Sequence, residues 1–357
     1  MSRIIFNFLS FCLSEDRAVP DGIEQMDWQT MYDFACQQSI VGVVFHGMQR
    51  LPAERVQVPR EVLMKFLLVA EQIRQRNVVM YQQSVRVSER LRKDGFRNCI
   101  LKGQGNALMY HDPYIRMTGD IDVWMEGERD TIIAYARQYA PTAEIRCYHA
   151  DFPVIKDVPI ELHFVPVISN NWLYRQRMRE FFGRVHDVLC SNMVELPDGL
   201  GRIPVPTADF NLVYQLAHIM HHFFDEGIGL RQMMDYYFLV KSEKLKVKMA
   251  GDDLEGTLRY LGLRKFAGAV MYVLQEVFGL KDRYLIVPVD VWRGRTLLEE
   301  ILRGGNFGHY SGLTSHSVGT KYFLKIKRNM RFVRQYPAEA LCEPLFRTWH
   351  FFWRLWR

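Results

Sequence analysis

The sequence predicts an α/β (α+β) protein, with a small mixed sheet at its centre and helical regions on both sides. Three observations carry that prediction. Apolar residues recur at helical spacing up to about residue 95; short β-type apolar runs replace them between 96 and about 206; helical spacing returns after Pro204-Val205-Pro206. The 357 residues divide accordingly into an N-terminal helical region over 1–95, an α/β core over 96–206, and a C-terminal helical region with a basic, aromatic tail over 207–357.

Each element has its own signal. Ile4 to Leu13 is an apolar run behind Arg3, interrupted by Asn7, Ser10 and Cys12, and no small-residue cleavage site follows before Glu15-Asp16. A short helix packed on the body is expected there rather than a signal sequence. Asp27 to Arg50 shows helical spacing at Met31, Phe34, Ile40, Val44 and Phe45, and Pro59 opens a long helical pattern to Lys93 that stops at Asp94-Gly95. Strands are expected at Asn98–Leu101, Asp120–Met125, Ala143–Tyr148, Phe152–Lys156 and Pro159–Val165, and later near Val185–Leu189 and Met193–Leu196. Helices intervene at Gln104–Tyr110 and Glu128–Tyr139. Thr207 suits the N-cap of a helix to about Phe224, followed by helices at Gly229–Lys241, Asp252–Leu261 and Arg264–Phe278, with helical patterning resuming after a Gly- and Ser-rich break over Gly304–Thr320.

Composition excludes several classes. Hydrophobic content of 48% and charged content of 24% are those of a soluble globular protein. Cys12, Cys36, Cys99, Cys147, Cys190 and Cys342 are scattered, with no Cys-x-x-Cys pair, which argues against a cysteine zinc site or a disulfide framework and fits a cytoplasmic location. No stretch reaches the roughly 18 apolar residues of a membrane span. Lys321 to Arg357 carries nine Lys or Arg against two Glu, more than the whole chain's excess of +6, so the basicity belongs to the tail and nucleic acid is not expected as a partner.

The chemistry concentrates in residues 99 to 125. Asp120 and Asp122 stand two apart in an apolar run that reads as a strand, so alternation sends both carboxylates from one sheet face, about 7 Å apart along the backbone. Two such charges repel unless a cation lies between them. Mg²⁺, or Mn²⁺ in its place, held by carboxylates and substrate phosphates is the natural occupant. Upstream, Lys102-Gly103 ends one strand and opens a helix, a ready anion site. A phosphate site beside a two-carboxylate cation site points to a nucleotide enzyme. Glu161, in Pro159-Ile-Glu-Leu-His-Phe-Val165, shares a strand face with His163 and Val165. On a neighbouring strand it would complete a three-carboxylate site, binding a second metal or helping to deprotonate an attacking hydroxyl; the alternative is a surface Glu on an edge strand.

Lys102-Gly103, Arg116-x-x-Gly119-Asp120-Ile121-Asp122 and Glu161 between apolar neighbours resemble the DNA polymerase-β-like nucleotidyltransferase superfamily. That superfamily combines a Gly-rich strand-to-helix turn, an Asp-x-Asp strand and a third carboxylate on a later strand. With Leu101-Lys-Gly103, Glu161-Leu-His163 and Gly229-Leu-Arg-x-x-x-Asp235 added, residues 60–245 resemble a bacterial family of uncharacterised nucleotidyltransferases. The resemblance implies a polymerase-β-like core and transfer of a nucleoside monophosphate from a nucleoside triphosphate, ATP among them, to a hydroxyl of a small-molecule, sugar or protein acceptor. Pyrophosphate leaves, and two metals neutralise charge along the in-line path. It implies Asp120, Asp122 and Glu161 as catalytic metal ligands, and Lys102, Gly103, Gln104, Arg116 and Gly119 as nucleotide-binding residues. Gln104 stands where the superfamily usually has Ser or Gly, and the spacing from Gly103 to Asp120 is longer than usual, which passes triphosphate contacts to Lys102, Gln104 or Arg116. A competing class is an inactive member kept as a binding or scaffold module; a phosphodiesterase lacks its usual His-Asp metal motifs here.

Other residues allow two readings each. Arg116 is expected to clamp phosphates or to pair with Asp120 or Asp122. His218 and His222 are four apart and share a helix face; packing beside the core or pairing with acids is preferred, and contact with nucleotide or substrate in a cleft with His163 is the alternative. Arg231 and Asp235 are expected to form a salt bridge along one helix, with Arg231 meeting a phosphate if buried at the cleft. The tail, Phe346 to Arg357, places six aromatics among three arginines. A weak contact with an anionic membrane surface through Arg347, Arg354 and Arg357 is one reading. The preferred one has Trp349, Phe352, Trp353 and Trp356 shielded in a groove on the protein.

Overall fold

The computed structural model describes residues 3–14, 18–189, 191–242, 253–310 and 318–355. At its centre lies a four-stranded sheet in the order β1-β2-β4-β3, formed by β1 Asn98–Leu101, β2 Ile121–Met125, β3 His149–Asp151 and β4 Ile160–His163. β2 runs parallel to β4, and the pairs β1–β2 and β3–β4 are antiparallel, so the sheet is mixed. β5 Met193–Glu195 and β6 Arg202–Pro204 form a separate hairpin. Helices α1 Arg3–Cys12, α2 Trp28–Gln38, α3 Val41–Met48 and α4 Arg60–Lys93 precede the sheet, and α5 Gly103–Ala107, α6 Arg129–Tyr139 and α7 Trp172–Leu189 interleave with it or follow it. Then come α8 Ala208–Asp225, α9 Leu230–Lys241, α10 Leu254–Tyr260, α11 Arg264–Phe278, α12 Val291–Gly304, α13 Val318–Met330 and α14 Pro337–Leu355. A mixed α/β fold with a small sheet and many helices is the architecture that the sequence predicts.

Alternation gives the sheet two different faces. Ile100, Ile121, Val123, Met125, Ile160 and Leu162 pack with Met80, Tyr81, Val87 and Leu91 of α4 and with Ile132 and Ala136 of α6. The opposite face turns Cys99, Leu101 and Trp124 into a second apolar cluster shared with α8, where Trp124 stacks on Phe210 at 5.6 Å. Asp122, Glu161 and His163 belong to that second face by register. Helix α8 therefore covers the polar end of the face on which the carboxylates stand. The same cluster joins α1 to α11, where Ser10 Oγ donates to the carbonyl of Phe278 at 2.7 Å, so the first and last helical regions share one core.

Several boundaries follow from capping. Asp27 accepts from the N–H groups of Gln29 and Thr30 at the start of α2, and Gly279 ends α11 in the left-handed region at φ 61°. Ser39, also left-handed at φ 58°, divides the stretch of helical spacing over Asp27–Arg50 into α2 and α3. Thr207 precedes α8, but its side chain makes no capping bond.

Three expected strands are corrected. Phe152–Lys156 lies outside any strand, Ala143–Tyr148 contributes only the isolated bridge Ile145–Ala150, and β3 forms between them at His149–Asp151. Val185–Leu189 is the end of α7, whose Met178 and Phe182 are buried four apart at helical rather than strand spacing. The helix expected at Gln104–Tyr110 is the shorter α5.

The tail differs from its expected shielding. In α14, Leu345 is 72%, Trp349 48% and Phe352 55% exposed, so no groove covers that side. The other side is docked through cations: Arg175 lies 4.0 Å from the Phe346 ring centroid and Arg129 lies 4.9 Å from that of Trp353. Arg347 donates to Asp225 at 2.6 Å and pairs with Glu343, so its guanidinium is engaged within the protein. The side chain of Arg354 and residues Trp356 and Arg357 lie outside the described set. Among the described residues no helix is long and apolar enough to cross a membrane. Deleting residues 346–357 is expected to lower the melting temperature by a few degrees, since two cation–π contacts at about 0.5–2 kcal/mol each and a part-buried ion pair are lost. An unchanged melting curve would contradict the docking of this helix.

Candidate functional site

The site is assembled beneath α8, where β1 ends and β2 and β4 begin. β1 delivers Lys102, whose backbone at φ 51° and ψ −124° is a conformation that costs a side-chain-bearing residue about 1–3 kcal/mol. That turn points the ammonium back along the sheet. Lys102 Nζ lies 2.7 Å from Asp122 Oδ2 and donates to His218 Nε2 at 2.9 Å. Asp122 in β2 pairs in register with Glu161 in parallel β4, so their side chains leave the same face. Asp120, just before β2, joins them: the three carboxylates each offer an oxygen within 4.8 Å of the others.

His163 completes this layer. Its Nε2 lies 2.9 Å from Asp122 Oδ1 and 3.2 Å from Glu161 Oε2. Above it, His222 Nε2 is 3.0 Å from His218 Nε2 on α8. A cavity of about 270 Å³, walled by Asp120, Asp122, Glu161, His163, His218 and His222 among others, shares the two aspartates, His218 and His222 with a smaller one of about 80 Å³ that Gly103, Arg116, Gly119 and Arg231 also line.

The electrostatics separate the two aspartates. Burial, together with repulsion from Asp122, pushes the Asp120 carboxyl up to about 6 despite Lys102. Burial would raise Asp122 as well, but Lys102 and His163 outweigh it and hold that carboxyl below the usual carboxylate range. His163, against the effect of its own burial, is raised to about 9 by its bonds to Asp122 and Glu161. Lys102 is likewise raised, its burial overcome by Asp122 and Asp120. Burial keeps His218 well below its ordinary value and lowers His222 to about 3, so both stay neutral beside Lys102. The all-oxygen donor set suits a hard divalent cation. Within the chain, the Lys102 ammonium and the His163 imidazolium supply the positive charge, and burial with repulsion from Asp122 still holds Asp120 above the usual carboxylate range.

A second layer fixes the approach to the site. Arg116 does not pair with Asp120 or Asp122. Its Nε and Nη2 donate to the two oxygens of Asp235 at 2.8 and 2.7 Å, and Tyr110 and Asn106 donate to the same carboxylate. The loop carrying Arg116 is pinned by Asn77 of α4, which donates to the carbonyls of Tyr114 and Arg116, and by α3, where a Cβ on Gly42 would lie 2.2 Å from the carbonyl oxygen of Ile115. The salt bridge expected along α9 is also corrected: with Asp235 engaged by Arg116, Arg231 donates to the carbonyl of Met117 at 2.9 Å and stays buried at the cleft. Burial and the neighbouring Arg116 lower it to about 10.

The remaining expected residues are placed unevenly. Gly103 and Gly119 line the smaller cavity, but packing demands neither glycine: a Cβ on Gly103 would sit 3.6 Å from the Asp120 carbonyl oxygen, an ordinary contact. Gln104 is buried in α5 with neither amide atom partnered and stands in the wall of neither cavity, so the structure does not bring it to the carboxylates. His149, Asn106, Tyr110 and Gln215 were not singled out from the sequence. The signal for His149 was its place opposite His163, which only the correct position of β3 reveals.

None of the curated proteins compared matches the chain. Among solved structures, an antigenic nucleotidyltransferase-like protein from Paracoccidioides brasiliensis aligns with 11% identity over 55% of this chain and 94% of its own, at a TM-score of 0.30, a likeness on which nothing rests. A family model described as an uncharacterised nucleotidyltransferase matches residues 24–279, more than half of the chain and all of the site, and the chain belongs to that nucleotidyltransferase family.

Proposed function

We propose that this chain transfers a nucleoside monophosphate from a nucleoside triphosphate to a hydroxyl acceptor, releasing pyrophosphate, with Asp120, Asp122 and Glu161 as the ligands of divalent cations. The observation that supports this reading best is the convergence of three carboxylates, Asp122 and Glu161 on adjoining parallel strands and Asp120 just before the first, with Lys102 paired to Asp122, beside two cavities that share Lys102, Asp120 and Asp122 in their walls. A divalent cation bound there neutralises the triphosphate and acidifies the acceptor hydroxyl. The chain's own residues do the rest. Asp120 and Asp122 fix the position of the charge. Glu161, whose side chain remains 25% exposed, takes the hydroxyl proton. Lys102 exchanges its contact with Asp122 for one with the phosphates, its ammonium held in reach by His218. Arg231, buried at the smaller cavity with its Nε unpartnered, meets the phosphates from the α9 side.

Equilibrium dialysis with each labelled triphosphate tests the binding half of this reading. Retention is expected with Mg²⁺ or Mn²⁺ present, weakened at least tenfold by Lys102→Met. Retention that is equal with and without cation would contradict it.

A pH dependence follows from Asp120. Its carboxyl, raised to about 6, is protonated below that pH and ionised above it, and a cation binds only the ionised form. Affinity for Mn²⁺ at the carboxylates is expected to fall by up to about tenfold for each unit below pH 6 and to level off above it. Calorimetric titration between pH 5 and 8 measures this; a flat profile would remove Asp120 from the ligand set.

A further inference from the structure

On the same sheet face, beyond Glu161, lies a second convergence of donors with different chemistry. β3 and β4 place His149 opposite His163, and Glu161 stands two residues before His163 on the same face. One ring nitrogen from each histidine and one oxygen of Glu161 lie within 4.8 Å of one another. His149 Nδ1 is 3.0 Å and His163 Nε2 is 3.2 Å from Glu161 Oε2, and Asp122 Oδ1 is 2.9 Å from the same His163 nitrogen. Ligand atoms 2.0–2.1 Å from a metal are about 2.9 Å apart along an octahedral edge and about 3.3 Å along a tetrahedral one, and the two separations from Glu161 Oε2 fall in that range.

Hydrogen bonding accounts for only part of this cluster. His149 is 1% exposed, yet neither of its ring nitrogens has a hydrogen-bond partner, because the short contact to Glu161 is not aligned as one. His163 Nδ1 is also buried without a partner, and its single Nε2 proton faces two carboxylates. A polar atom buried without a partner is costly to the fold. The far nitrogen of His149 lies 3.6 Å from Asp151 Oδ1, the side on which a carboxylate commonly orients a ligating imidazole.

We propose that His149, His163 and Glu161 form a second cation site, which takes a divalent first-row transition ion of the zinc or cobalt type. Two imidazoles favour such an ion over Mg²⁺, whereas Asp120 and the far oxygen of Asp122 keep an all-oxygen set on the other side of Glu161. Glu161 is thus shared by a hard site and a nitrogen-bearing site. The proposal goes beyond the nucleotidyl-transfer reading and does not depend on turnover.

Co²⁺ binding in excess Mg²⁺, followed by dialysis, metal analysis and visible absorption, tests it on the full chain. About one equivalent with a ligand-field band is expected for the unaltered protein and for Asp120→Asn. His149→Gln and His163→Gln are each expected to weaken retention by more than the roughly 10–100-fold that loss of an outer-shell partner costs, and Asp151→Asn by that lesser amount. Absence of retained Co²⁺, or retention lost in Asp120→Asn but kept in both histidine variants, would overturn the site. Should the variants fail to fold, X-ray absorption on the zinc-loaded unaltered protein decides. Two imidazole nitrogens are expected in the shell, and an all-oxygen shell contradicts the proposal.

Discussion

Asp120→Asn is expected to abolish cation-dependent turnover, a loss of at least about 10²–10³-fold on the scale of removing one preorganised electrostatic group, while the cation-free protein keeps or gains thermal stability. The reason lies in the raised carboxyl of Asp120, which buries a charge that Asp122 repels and Lys102 only partly offsets. Removing that charge relieves the fold and empties the site of a ligand. Asp122→Asn should match the loss of turnover but differ in stability. Asp122 is the partner that both Lys102 and His163 use, so its loss leaves the buried His163 and the part-buried Lys102 undercompensated and destabilises the protein. Paired thermal melts and rate assays on the two variants check this. Equal stability effects, or near-normal turnover in either, would contradict the roles given to the two carboxylates.

The second large effect concerns the brace behind the site. Asp235→Ala is expected to destabilise the protein by about 3–5 kcal/mol, because Arg116 would remain buried as an unpaired charge and Tyr110 and Asn106 would lose an acceptor. That is a large fraction of an ordinary domain's stability of about 5–15 kcal/mol. Replacing both partners, Arg116→Met with Asp235→Leu, is expected to recover much of the loss, since neither charge then remains buried alone. Urea unfolding of the single and double variants measures it. A single-variant cost below about 1 kcal/mol would show that this pair does not hold the loop before β2.

The central motif could be read from sequence because its signals are local. Alternation alone put Asp120 and Asp122 on one face, and Glu161 with His163 on one face of a second strand. Which strands adjoin is a matter of tertiary pairing, and the parallel register Asp122–Glu161 joins the two motifs only in the folded sheet. Sequence alone marks both Arg116 and Asp235 but pairs each with a near neighbour: Asp120 or Asp122 for the first, Arg231 for the second. Sequence spacing favours near neighbours, whereas Asn77 and Gly42 hold the Arg116 loop against α9. His149 is not legible in the sequence because His-Ala-Asp has none of the β-branched or aromatic enrichment that marks a strand, and the more apolar runs on either side carry the stronger strand signal. The exposed stripe of α14 was unreadable for a related reason. Six aromatics indicate burial, but only the position of Arg129 and Arg175 decides which side of the helix docks.

The central claim is that the three-carboxylate face performs nucleotidyl rather than phosphoryl transfer, and the fate of the label tests it most directly. The protein is incubated with Mg²⁺, cell extract and each triphosphate, labelled in parallel at the α- or the γ-phosphate. Incorporation of α-label into an acceptor is predicted, with γ-label recovered in pyrophosphate and both outcomes lost in Asp120→Asn. Transfer of the γ-label to the acceptor, or α-label incorporation that persists in Asp120→Asn, would contradict it.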